Sequence, residues 1–241
     1  MAGMHQVADY CDTPSADVLV HLAEEPDRAV VNASGASVWR QSEVVRRLSA
    51  RCRKIIYSSS SAVYGDNGSG RFTTDEPVTG YDVYSRLKIE NERIVLDAGG
   101  TVLRLANLYG EGMSSNNVIS DIVKQIPGSG AMCIRDDGPV RDFLNVADAA
   151  RAFVLVTTMA TDGILNIGSG IGMSIGAVAR LALQVAGREH REIVVTSPSG
   201  KRSVNVLDVS ESQRLLGWSA TSSLQDFFFQ VCRKEVKVVE G

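Results

Sequence analysis

"KIIYSSS", residues 54–60, decides how the rest of the chain is read. A short apolar run with two β-branched residues and a tyrosine ends in three hydroxyls. That length and composition predict a buried strand. "DVLVHLA" (17–23) predicts another strand upstream. Between them "GASVWRQSEVVRRLSARC" (35–52) places Val38, Val44, Val45 and Leu48 at helical spacing. Downstream, a polar loop from Gly65 to Gly80 leads to a helix over about 81–98, which "DAGG" stops, and "TVLRLANLYG" (101–110) predicts a third strand. This β-α-β-α-β rhythm predicts an α/β fold, a parallel sheet with helices on both faces. Such sheets bind ligands at the carboxyl ends of their strands. Ser58 to Ser61 and Asn107 fall there.

The second half is more broken. A helix is predicted at about 115–126, and "AMCIRDDGPVRDFLNV" (131–146) reads as strand, turn and strand. "ADAARAFVLVTTM" is helical, "GILNIGSG" is a strand entering a loop, and "SIGAVARLALQVAG" is a helix with Ser174 as N-cap. "REIVVTS" reads as a strand, and "SESQRLLGW" and "SLQDFFFQVCRKEV" as closing helices.

The 241 residues suffice for one large domain or two small ones. At 44% hydrophobic, 22% charged and net charge −3, the composition is that of a globular protein and gives no basic footprint for nucleic acid. The apolar runs are strand-sized, too short to span a membrane. "MAGMHQVADY" has no basic segment followed by an apolar one, so no signal peptide is read there. Four separated cysteines without a CxxC pair, and three histidines, predict reduced thiols, a cytoplasmic setting and no metal site.

Two glycine stretches invite a phosphate-loop reading. "GSGIG" (168–172) fails the G-x-G-x-x-G spacing because Met173 takes the sixth position, so a turn feeding a capped helix is the better reading. "GDNGSG" (65–70) has no helix directly behind it and reads as a polar loop.

"GYDVYSRLKIENE" (80–92) puts Tyr84 and Lys88 four residues apart, on one helix face. A phenol ordinarily titrates near ~10. An ammonium ~4 Å away at an effective dielectric of ~20 contributes roughly 4 kcal/mol, enough to bring a phenol towards neutral pH, where general acid/base groups work best. The plain alternative is the surface of an amphipathic helix. Tyr81 has Ser85, not a lysine, at its i+4 position.

The chain resembles the extended short-chain dehydrogenase/reductase proteins, the sugar-nucleotide epimerases and dehydratases. "DVLVHLA", "KIIYSSSSAVYG", "YSRLKIENE", "VLRLANLYGEG", "DDGPVRDFLNVADAARAF", "LNIGSG" and "LDVSESQRLLGW" follow in family order from Asp17 to Trp218. The resemblance implies a partial Rossmann-type domain over 1–112. A smaller α+β substrate-binding region over 113–241 would return some segments to it. It implies NAD or NADP as cofactor, a nucleotide sugar as substrate, and a homodimer. By resemblance Ser60, four residues before Tyr64, would bond the reacting sugar oxygen. Tyr84 would move its proton, and Lys88 would hold the nicotinamide ribose. Ala23 and Ser58 would border the cofactor. Asn107, Arg141 and Arg202 would meet the substrate, with Arg141 on its diphosphate. The plain alternative for Arg141 is an ion pair with Asp136, Asp137 or Asp142. His21 is read as packed at its strand end.

Dehydratases of this family follow the Ser/Thr with an Asp-Glu pair. Ser61 and Ala62 stand at those positions, which leaves epimerisation or reduction through a keto-sugar. The family also begins with a strand, a G-x-x-G-x-x-G turn and a helix before "HLA", a motif this chain reaches by residue 23. "VADYCD" (7–12) reads as the tail of an earlier strand. The expectation is an incomplete family member with an uncovered sheet edge, weak NAD(H) binding and little turnover. Its rival is a catalytically silent sugar-nucleotide-binding or subunit-interaction protein that keeps Asn107 and Arg141.

Overall fold

The computed structural model describes residues 10–35, 39–66, 70–159 and 162–239. Its principal sheet is parallel throughout, in the order β1-β2-β3-β7. The strands are β1 (Ala16–His21), β2 (Cys52–Ser60), β3 (Thr101–Leu105) and β7 (Gly163–Ile167). The three strands predicted in the first half are neighbours, with His21 beside Tyr57 and Ser60 beside Leu105.

Period-two alternation explains the layers. Ile55 and Tyr57 of β2 and Val102 of β3 bury against Val45 of helix α2 (Arg40–Ser49) and Val95 of helix α3 (Val83–Asp97). Ile56 and Leu103 face the other way, onto Ala152 and Val156 of helix α5 (Val146–Thr158). The fold is thus the Rossmann-like α/β layering that the sequence predicts.

A second core gathers Ile119 and Ile122 of α4 (Val118–Gln125), Val178 and Ala182 of α6 (Ile175–Val185), and Phe228 of α8 (Leu224–Val239), whereas Leu216 of α7 (Ser210–Leu216) joins the first core with Ile56 and Leu103. Strand β6 (Val140–Asn145) lies between β4 (Asn107–Tyr109) and β10 (Val204–Asn205), and β8 (Gly172–Ser174) pairs with it antiparallel.

Local readings are refined. Within 35–52 the helix α2 runs from Arg40 to Ser49, residues 36–38 lie outside the described residues, and a further helix α1 (Arg28–Ala33), not read from the sequence, precedes it. Asp27 starts α1 by accepting from the amides of Ala29 and Val30. Tyr10–Asp12 form a 3₁₀ turn, not a strand tail, and residues 7–9 lie outside the described residues. The strand, turn and strand read in 131–146 are present, and the structure adds their partners. β5 (Met132–Ile134) pairs in parallel with β9 (Ile193–Val195), whereas β6 joins β4, β8 and β10. Their partners come from far along the chain, beyond the reach of local periodicity.

Candidate active site

Helix α3 begins at a capping box. Asp82 accepts from the Ser85 amide, and the Ser85 hydroxyl accepts from the Asp82 amide. Asp82 also accepts from Arg28 at 2.7 Å and Asn32 at 3.0 Å. Burial pushes its carboxyl up, but Ser85, Arg28 and Asn32 outweigh that and bring it down to about 2. The first turn of α3 is thereby fixed, and Tyr84 and Lys88 lie one turn apart on it.

Lys88 is buried, and its Nζ lies 5.7 Å from the centre of the Tyr84 ring. It donates to the Ser58 carbonyl at 2.8 Å and to Glu24 Oε2 at 2.6 Å. The half-buried Tyr84 donates its backbone N–H to Asn32 at 2.9 Å. Its hydroxyl has no hydrogen-bond partner among the described residues. At the end of β2, Ser60 Oγ accepts from the Ala62 amide at 3.2 Å and so caps the 3₁₀ turn Ser61–Tyr64. Gly65 closes that turn at φ +78°, where a side chain is strained and a Cβ would come within 2.8 Å of Thr79. Ser59 points the other way and bonds buried Glu92.

Ser58, Ser60, Tyr84, Lys88, Asn107 and Arg141 all line one cavity of about 930 Å³ at the carboxyl ends of the strands. Leu22 and Glu24 line it as well. Ala23 sits between them, and its carbonyl accepts from the Tyr10 hydroxyl. Arg202 is exposed on the loop before β10, outside the wall of this cavity. Ser61 and Ala62 line it where the resemblance would place an acidic pair.

Arg141 is held by the Val140 carbonyl at 2.9 Å and by the Ser203 carbonyl and hydroxyl at 3.1 and 2.8 Å. Its ion-pair partner is Asp66, at 3.3 Å, and not Asp136, Asp137 or Asp142. Asp136 instead accepts from the amides of Gly138 and Ser199. Asp142 is buried and accepts from the amides of Ser169, Gly170 and Leu207. The loop "GSGIG" therefore wraps a carboxylate of its own chain. A Cβ on Gly168 would lie 2.5 Å from Asp142 Oδ2. Asn107 reaches the same element by donating to the Asp142 carbonyl at 3.1 Å.

Sequence reasoning missed Glu24. Its carboxylate accepts from Lys88, from the Tyr57 hydroxyl at 3.0 and 2.9 Å to its two oxygens, and from Asn91 Nδ2 at 2.8 Å. His21 Nε2 lies 3.7 Å away. Burial alone would raise its pKa, but His21 and Lys88 outweigh that and bring it to about 2. Burial and the Glu24 charge hold the Tyr57 phenol well above its ordinary value, so it stays a donor. The available signal was "HLAEE", two acids directly after a buried strand end.

Among the described residues, no group of three or more His, Cys, Asp or Glu is placed to hold a metal ion. No described helix is long and apolar enough to cross a membrane.

Known proteins share this arrangement of chain. A dTDP-glucose 4,6-dehydratase of Streptomyces griseus is 28% identical over 239 residues, covering 90% of this chain and 73% of the relative. A UDP-glucose 4-epimerase of Bacillus subtilis is 24% identical over 219 residues, 78% of this chain and 64% of the relative. Among solved structures, the Thermotoga maritima UDP-glucose 4-epimerase with UDP-glucose superposes with a TM-score of 0.80 at 24% identity, covering 92% of this chain and 78% of that one. The Bacillus cereus UDP-glucuronic acid 4-epimerase with UDP-glucuronic acid and NAD gives 0.77 at 23%, covering 91% and 76%. The family profile described as "NAD dependent epimerase/dehydratase family" matches residues 2–168, a span that takes in β1, the hydroxyl-tipped β2, the Tyr84–Lys88 turn and Arg141. By that match, with a fold and cavity to suit it, the chain belongs to the NAD-dependent epimerase/dehydratase family.

Proposed function

We propose that this chain converts the sugar of a nucleotide sugar by epimerisation or reduction through a keto-sugar, using NAD. The observation that carries this reading is that Ser60, Tyr84 and Lys88 line one cavity together with Asn107 and Arg141. Named relatives act on nucleotide-linked glucose. The residues fit the nicotinamide-ribose end of NAD: two of the three Lys88 N–H groups are fixed by protein, and the Tyr84 hydroxyl beside it is uncommitted. Ser58, Tyr84 and Lys88 would hold that end. When bound, NAD supplies the acceptor and donor of hydride.

This chain's own groups do the rest. Ser60 Oγ bonds the hydroxyl at the reacting sugar carbon and orients it toward Tyr84. Tyr84 takes the hydroxyl proton as hydride leaves that carbon, and returns it when the carbonyl is reduced. Lys88, one turn along the helix from Tyr84, would donate its remaining N–H to a ribose hydroxyl of the cofactor. Arg141 and Asn107 hold the diphosphate end, so the sugar ring stays at Ser60. Dehydration lacks its acid and base, since Ser61 and Ala62 stand at those positions.

The test is incubation with NAD⁺ and UDP- or dTDP-hexoses, followed by NMR of the products and absorbance at the reduced-nicotinamide band. A changed sugar stereocentre, lost in Tyr84→Phe, is expected. A 4-keto-6-deoxy product would overturn the exclusion of dehydration. Unchanged turnover in Tyr84→Phe would overturn the assignment of Tyr84.

A further inference from the structure

Three protein donors engage the Glu24 carboxylate: Lys88, Asn91 and the single Tyr57 O–H, which is shared between its two oxygens. Its oxygens are thus engaged by protein donors, although it sits in the cavity wall. Lys88 is the reverse case. Its ammonium has three N–H groups, two of which are fixed by Glu24 and the Ser58 carbonyl. With two directions set, the third is set as well. The side chains of Glu24 and Lys88 are each 8% exposed, so water does little to replace either partner.

We propose that Glu24 is the positioning residue of Lys88. It anchors the ammonium on the end of β2 and leaves one N–H, in a fixed direction, to donate to a single hydroxyl oxygen of the ligand. That this ligand is the cofactor's ribose rests on the functional reading above; the anchoring itself does not. Glu24 is 64 residues away from Lys88 in sequence, and nothing in the Tyr84–Lys88 motif requires it. Among the described residues, the titratable groups facing the ammonium are Glu24 from the loop after β1, His21 from β1, Tyr57 from β2 and Tyr84 from α3. Glu24 is the one ordinary carboxylate among them, so its removal leaves a buried ammonium without an anionic partner.

Glu24→Gln tests this, because the amide keeps the shape and loses the charge. The first readout is the Lys88 side-chain resonance by NMR, identified by its loss in Lys88→Met and followed against pH. Glu24→Gln should shift its titration downward by about one pH unit or more relative to the parent. The second readout is calorimetric titration with NAD⁺ at several pH values. Affinity in Glu24→Gln should fall about tenfold or more, and the fall should deepen as pH rises. A Lys88 titration unchanged from the parent overturns the proposal, whatever happens to melting temperature. If Glu24→Gln does not fold, Glu24→Asp keeps the charge on an arm one methylene shorter. Its Lys88 titration should move in the same direction by less, and no movement overturns the proposal. A parent that binds no NAD⁺ at any pH, with Lys88 shifted as expected in Glu24→Gln, supports the anchoring and sinks the cofactor reading instead.

Discussion

Glu24 ties stability to acid pH. Its folded pKa of about 2 lies below the ordinary 4.5. A carboxyl depressed on folding stabilises the protein above its unfolded value and loses that contribution as pH falls through the folded one. The contribution is of order 3 kcal/mol, is complete above about pH 4.5, and fades towards pH 2. Chemical denaturation at pH 6, 4 and 3 should therefore show Glu24→Gln losing less stability on acidification than the parent. Equal losses would mean that Glu24 is not held ionised by its cage. Arg141 poses a different problem, because Asp66 and Ser203 hold it before any ligand arrives. The proposed diphosphate would have to compete with Asp66 for one edge of the guanidinium. Arg141→Ala should weaken UDP-sugar binding by about 1.5–3 kcal/mol, the range for a charge-assisted bond. Its unfolding free energy should fall by only about 1 kcal/mol, the net worth of ordinary hydrogen bonds. Unchanged affinity with a large loss of stability would make Arg141 purely a strut between β6 and the loop at Ser203.

At the scale of elements, α3 carries the proposed Tyr84–Lys88 pair, and its start was legible. Asp82 followed three residues later by Ser85 gives the cap, and the turn after it holds Tyr84. What the local sequence does not contain is that Asp82 also bonds Arg28 and Asn32, so the cap fastens α1 to α3. Asp82→Ala should cost about 0.5–2 kcal/mol as a lost cap. It should also free the backbone of Tyr84, whose amide depends on Asn32 staying in place. The expected result is a fall in kcat larger than the fall in melting temperature implies. Ser174→Ala offers the comparison: it removes the N-cap of α6, whose Ser174 Oγ accepts from Ala177 at 3.1 Å, in a helix that carries none of the proposed catalytic groups. It should cost similar stability and leave kcat near the parent's. If the two variants affect kcat alike, the cap of α3 has no special hold on Tyr84.

At the scale of the molecule, the cavity draws its walls from β1 and β2 on one side and from β4, β6 and α4 on the other. A nucleotide sugar that binds there touches elements from both cores, so it should stabilise the folded chain as a whole. At a hundred times its dissociation constant it should add about 2.7 kcal/mol. UDP-hexose and dTDP-hexose should raise the melting temperature in a concentration-dependent way, and the free sugar without its nucleotide should do so far less. Equal shifts with free sugar would place recognition at Ser60 alone and leave Arg141 without a role.

The sequence by itself determined the parallel sheet and the ends of its strands. Alternating apolar residues at Ile55, Ile56 and Tyr57 need a helix layer on each face, and this requirement is local. It also determined the Tyr84–Lys88 turn, since i and i+4 share a helix face in any helix. Tertiary structure alone decided the partners. Glu24 meets Lys88 across 64 residues, Asp66 meets Arg141 across 75, and β5 finds β9 rather than β6. Each is a choice among several charges or strands of equal local merit. The fold makes that choice by bringing distant segments together, and at Glu24 and Lys88, each 8% exposed, a buried charge also needs a partner within reach.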